Sequence, residues 1–195
     1  SKAYERALLG ARRVILEGAL FLLAGIALCS PAFFRILYDK RYGEAFWMAQ
    51  LLVVPTWTWI MRLSVERPVL ALGKSFTMAL SNATSLVGKI AACYIGFRLA
   101  GLEGFILGLA LGYLAGYTPL AIALSRRGTH VLKQDVPYTA FAIAWIGGAL
   151  LVQHWAVTLV DLRWRTWTEL GVAAVAVVPL GLRVLRIGKQ ALSRR

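Results

Sequence analysis

Acid, histidine and cysteine are all scarce in this sequence. Nine Asp and Glu stand against 22 Lys and Arg, with two His and two Cys in 195 residues. Cys29 and Cys93 each lie inside an apolar run, so they read as small hydrophobes rather than a disulfide or a metal pair. His130 and His154 have no Cys or carboxylate at metal-ligand spacing, and no Gly-rich phosphate loop follows a strand. Ser64 and Ser75 have no evident base, and Asp39 and Asp161 fall in loops of opposite charge. No catalytic constellation is visible, and neither a cofactor nor a metal is expected. The cationic excess could suggest nucleic acid, but the cations fall in short clusters without a basic face interleaved with aromatics. No nucleic-acid partner is expected.

Polar surface is scarce too. The chain is 59% hydrophobic and 16% charged, where soluble domains sit near ~45–50% and ~25%. That balance fits an all-α, polytopic membrane helix bundle in contact with membrane lipids. Runs of roughly 20 apolar residues, enough to cross a ~30 Å hydrocarbon core, can be placed at about 14–34, 46–69, 75–97, 102–124, 138–160 and 169–187. Six spans in one domain, 1–195, are the expectation. Only Arg98 to Gly101 separates the third from the fourth, which predicts a tight antiparallel hairpin. The sixth is the shortest, interrupted by Pro179.

Cations are retained on the cytoplasmic side of a membrane, so alternate loops give the orientation. One side collects 15 Lys and Arg, including Arg12, Arg62, Arg67, Lys74 and Arg183. The other has six, namely Arg35, Lys40, Arg41, Arg98, Arg163 and Arg165, and Lys89 is left inside a span. Both termini are therefore expected to be cytoplasmic. The first residues, SKAYERALLGARR, are basic and amphipathic, with no initiator Met and no signal-peptide pattern. They suggest the C-terminal piece of a longer chain or an incomplete gene model.

Gly104, Gly108, Gly112 and Gly116 recur every fourth residue and predict a close-packing seam on one helix face. Trp57, Trp59, Trp145, Trp155, Trp164 and Trp167 mostly lie near expected span ends, where such rings anchor at headgroups; any that face a cavity could contact sugar rings.

Ionisable residues inside spans carry the most information, because an isolated charge at bilayer depth costs ~2.5–3.5 kcal/mol even on the insertion scale. They are Glu17, Arg62, Glu66, Arg67 and Lys89. Asn82, Ser85 and Lys89 share one helical face, and Lys89 stands ~22 Å along the helix from Lys74. Three readings of Lys89 are open: a cavity-lining cation, an ion pair with Glu17 or Glu66, or a snorkelling side chain. Arg62 and Glu66, at i and i+4, could satisfy each other. Alternatively Arg62, Arg67 and Lys89 make the bundle interior positive enough for an anionic headgroup such as a pyrophosphate, with Pro55 and Pro68 bending the second helix beside it. The candidate substrate-binding set is Arg62, Lys89, Asn82, Glu66 and Arg67.

The stretch from Ser30-Pro31 through FFRILYDKRYGEA, with Leu37, Tyr38, Arg41, Tyr42 and Ala45, followed by a long helix closing on VLALGK, resembles the polysaccharide flippase branch of the multidrug/oligosaccharidyl-lipid/polysaccharide transporter superfamily. There an LYG-x-x-Y-x-x-A connector precedes a helix ending in AxG; here Asp39 stands where that pattern has Gly. The likeness covers roughly residues 1–130. It implies the C-terminal lobe of a 12- to 14-helix carrier that moves polyprenyl-diphosphate-linked oligosaccharide across a bacterial inner membrane for exopolysaccharide or O-antigen synthesis, partnered by a missing N-terminal lobe. No bond chemistry is implied. A multidrug antiporter of the same superfamily would call for membrane carboxylates, which are few here. A glycan-modifying membrane enzyme would call for convergent Asp, Glu or His, and an accessory subunit would tolerate neutral residues at Arg62 and Lys89.

Overall fold

The computed structural model describes residues 2–38, 45–161 and 163–192. Its elements are α1 (Lys2–Leu37), α2 (Ala45–Ala71), α3 (Ser75–Ser125), α4 (Leu132–Thr158) and α5 (Arg165–Leu192), with no strand among the described residues. Among those residues, four helical stretches are long and apolar enough to cross a membrane: Tyr4–Leu37, Ser75–Ser125, Leu132–Thr158 and Arg165–Lys189. The expected count of six is corrected accordingly. The expected third and fourth spans lie in one 51-residue element, α3. The expected second, α2, is diluted by Gln50, Pro55 and two Thr before it reaches Arg62, Glu66 and Arg67.

The helix ends differ in instructive ways. α1 starts well before residue 14, because the basic N-terminal stretch is itself helical, and it continues beyond 34 through Pro31. Proline there removes the N–H that would bond Ala27. The freed Ala27 carbonyl instead accepts from Ser30 Oγ at 3.2 Å and Gln50 Nε2 at 3.1 Å. α5 likewise runs through Pro179 rather than being interrupted by it. The family-like connector at 39–44 lies outside the described residues.

α3 departs from helical geometry at Ala100 (φ −140°) and Gly101 (φ 58°). Its arms, 75–99 and 102–125, fold against each other as the hairpin reading expects. The four-residue glycine repeat is the contact: a Cβ on Gly104 would collide with the Gly96 carbonyl oxygen, and one on Gly108 would sit 2.5 Å from that of Ala92. Bare backbone is what allows the approach. The turns before and after the hairpin are Schellman caps. Gly73 (φ 71°) donates to Leu70 O and Lys74 to Val69 O, and Gly128 (φ 83°) donates to Ser125 O and Thr129 to Leu124 O. The VLALGK ending therefore terminates α2 by geometry only glycine adopts readily.

The chain divides into two compact units. Unit 1 comprises Ser1–Leu16 and Val54–Pro137, and its core joins Val65 and Val69 of α2 to Tyr117, Leu120 and Leu124 of α3 and to Val131. Unit 2 comprises Glu17–Val53 and Tyr138–Arg195, with Leu28 of α1 against Ala173 and Ala176 of α5. In both, the usual distribution of polarity is partly inverted: Arg12, Glu17 and Asp135 are buried, whereas Leu99 is 81% and Leu159 82% exposed. An apolar exterior over buried, paired charges is how a chain satisfies hydrocarbon as its solvent.

Candidate functional site

In unit 1, α2 brings Arg62 and Glu66 to one face, one turn apart, and they pair at 3.0 Å. The arm of α3 that starts at Ser75 supplies the rest of the shell. Arg62 Nη1 donates to Ser85 Oγ at 3.1 Å and Nη2 to Asn82 Oδ1 at 2.5 Å. Its Nε is buried and makes no hydrogen bond among the described residues. The glycine seam and this site are one feature, since a Cβ on Gly116 would meet Ser85 Cβ at 2.6 Å and Arg62 Nε at 3.1 Å, and a Cβ on Gly112 would collide with Lys89 Cγ. The missing side chains make room for the two cations.

Lys89 is half-buried, and its Nζ lies 3.9 Å from the centroid of the Tyr113 ring. It forms no ion pair with Glu66, which binds Arg62 instead, and Glu17 pairs with Arg183 at 2.8 Å. That alternative is corrected: the ring's negative face meets the ammonium in place of a carboxylate. Ser85 and Lys89 are four residues apart, so Lys89 follows the Arg62 shell by ~6 Å of helix rise. Arg67 is not brought in, because the fifth residue after Arg62 points ~140° away from it, and it is exposed. Counting Arg62 and Lys89 against Glu66, the cluster retains one net positive charge, at Lys89.

Further charge clusters among the described residues escape sequence reasoning wholly or in part. In unit 1, Arg12 donates to both carboxylate oxygens of Asp135 at 2.8 and 2.9 Å, to Ser64 Oγ at 3.0 Å and to Gln134 Oε1 at 3.4 Å. Tyr117 also donates to Asp135, and Gln134 Nε2 donates to Leu9 O. Both ionic partners are 1% exposed. In unit 2, Glu17 accepts from Tyr138 at 2.8 Å and pairs with Arg183, whose guanidinium also faces the Phe141 ring. At the end of unit 2 where α1 finishes and α5 begins, Arg35 grips Glu169 with two bonds of 2.9 Å while Arg165 lies 3.6 Å from the same carboxylate. Glu17 carries a warning in the sequence as an acid inside a span. For Asp135 the only signal is that it is one of nine acids in an apolar chain, whereas Glu169 stands at the start of the expected sixth span.

Of the six tryptophans expected mostly near span ends, Trp155, Trp164 and Trp167 are exposed, but so is Trp59 in the middle of α2, whereas Trp57 is buried within α2's packing. Among the described residues no group of three or more His, Cys, Asp or Glu could hold a metal.

No family model matches the chain, and no solved structure matches it. An 84-residue stretch is 39% identical to the lipid III flippase of Escherichia coli (strain K12) and, to the same extent, to that of Shigella flexneri. The stretch is 41% of this chain but 19% of either flippase, so the chain spans about a fifth of the length of the curated relatives it matches. The four apolar helical stretches fit a multi-pass membrane protein.

Proposed function

We propose that the chain is the C-terminal portion of a carrier of the polysaccharide flippase branch, moving polyprenyl-diphosphate-linked oligosaccharide across the bacterial inner membrane, with both termini of this segment cytoplasmic and the missing N-terminal lobe as its partner. The observation that carries the reading is the 84-residue stretch that is 39% identical to two lipid III flippases. The charge arrangement in unit 1 supports it physically. A carrier of a diphosphate lipid needs a cation inside the bundle that is not already neutralised, and Lys89, held by a ring rather than by an acid, is such a cation. Arg62, fixed by Glu66, Asn82 and Ser85, gives the wall beside it a defined shape.

The test uses the full-length parent in a strain whose glycan export depends on it. Lys89→Ala reduces export at an unchanged membrane level, Lys89→Arg retains it, and Arg62→Ala reduces it too. Normal export by both alanine variants removes the cationic-wall reading; normal export by Lys89→Ala alone shifts the anion contact to Arg62.

A further inference from the structure

We propose that Arg165, with Arg35, Glu169 and His154, forms a phosphate-binding site at the end of unit 2 where α1 and α4 finish and α2 and α5 begin. The cavity there has a volume of about 200 Å³, and its wall includes Arg35, Gln50, Gln153, His154, Arg165 and Glu169. Its charge does not cancel. Glu169, 4% exposed, is gripped through both oxygens by the Arg35 fork, the bidentate geometry that spends one guanidinium on one carboxylate. Arg165 is then the surplus cation. Its closest approach to that carboxylate is 3.6 Å through Nε, beyond a hydrogen bond, and it makes no side-chain hydrogen bond among the described residues. It is 44% exposed and lines the cavity.

The rest of the wall is held in place. Gln153 is buried, with its amide nitrogen on Leu28 O at 2.9 Å and Glu169 O at 3.2 Å, and Gln50 is tied to Ala27 O. His154, exposed at the rim, offers a ring N–H in either tautomer. A cation with donors not committed to Glu169, beside such a wall, suits an anionic oxygen. The depth fits as well. Trp155, Trp164 and Trp167 are exposed at the same helix ends, and such rings settle at headgroup level. The phosphate belongs either to a lipid headgroup or to a free anion.

The full chain is reconstituted in phosphatidylcholine nanodiscs, and binding is followed by native mass spectrometry and tryptophan fluorescence. The probes are phosphatidylglycerol and inorganic phosphate. Arg165→Gln should weaken binding about tenfold or more, the loss of a charged hydrogen bond, while Arg165→Lys keeps most of it and Arg163→Gln, off the wall, changes it little. Saturation by phosphatidylglycerol without competition from phosphate assigns the site to a headgroup; competition by phosphate at the same Arg165 dependence assigns it to a free anion. Either result supports the site. Binding of neither probe, or equal losses in the Arg163 and Arg165 variants, overturns it. Helicity by circular dichroism is measured on each variant, and a loss of binding in Arg165→Gln that accompanies unfolding is judged on Arg165→Lys, whose failure to bind when folded also overturns the site.

Discussion

The two units bury acids in different ways. In unit 1 both members of the Arg12–Asp135 pair are inaccessible, and every donor around them is committed. In unit 2 the acids are buried but their cations are not: Glu17 is 2% exposed against 42% for Arg183, and Glu169 is gripped by Arg35 and approached by Arg165, each more than a third exposed. A fully enclosed pair fixes helices and is costly to disturb. A half-open pair leaves a cation that can meet a ligand or water. Their helix contacts differ in parallel. The arms of α3 meet through glycine backbone, whereas Gly147, Gly148 and Gly171 of unit 2 have open space where a Cβ would go.

The sharpest way to break this contrast is Asp135→Asn. It leaves the Arg12 guanidinium buried and uncompensated, and the expected loss is ~3–5 kcal/mol, read by unfolding in mixed detergent micelles. Replacing the pair together, as Arg12→Met with Asp135→Leu, should recover much of it, because two apolar groups remove the stranded charge. If Asp135→Asn instead costs no more than a surface pair, unit 1 is not closed around this bond. Next in size is Gly104→Ala. Its Cβ would run into the Gly96 backbone oxygen, so the arms of α3 must separate, at an expected cost of ~1–3 kcal/mol. An unchanged stability would mean the hairpin is not packed through this face.

These two sites also mark what the sequence reveals. The hairpin is legible, because small residues at every fourth position and the break at 98–101 are local signals. So are the approximate centres of the long apolar runs, and Arg62 with Glu66, which are neighbours on one turn. Arg12 is not: it lies among loop-like cations, and its partner is 123 positions away. The full length of α1 is hidden for the same reason, since a basic N-terminal turn joins the helix stably where something neutralises it. Lys89 stands out by depth alone, but its ring partner comes from the opposite arm of the hairpin, and only folding places Tyr113 there. The six-span count fails at α2, where apolar length is present and apolar density is not, and at α3, whose two arms form one 51-residue element.

The smaller effects belong to unit 2. Glu17→Gln keeps an acceptor for Tyr138 and releases Arg183, which is exposed enough to find water. The expected loss is about 1 kcal/mol, the scale of one net hydrogen bond, well below that of Asp135→Asn in the same assay. A loss equal to that of Asp135→Asn would erase the distinction between closed and half-open pairs.

The smallest effect carries the opposite sign. Gly147 lies inside α4 with nothing within 4 Å of where a Cβ would stand, so Gly147→Ala adds helix propensity without a clash. A gain of up to ~1 kcal/mol is expected, where the identical change at Gly104 destabilises. One substitution thus separates the roles of glycine in two helices: in α3 it is the contact, and in α4 it is a gap. A loss at Gly147 comparable to that at Gly104 would show that α4 also has a neighbour packed on its bare backbone, and that the contrast between the units is one of charge alone.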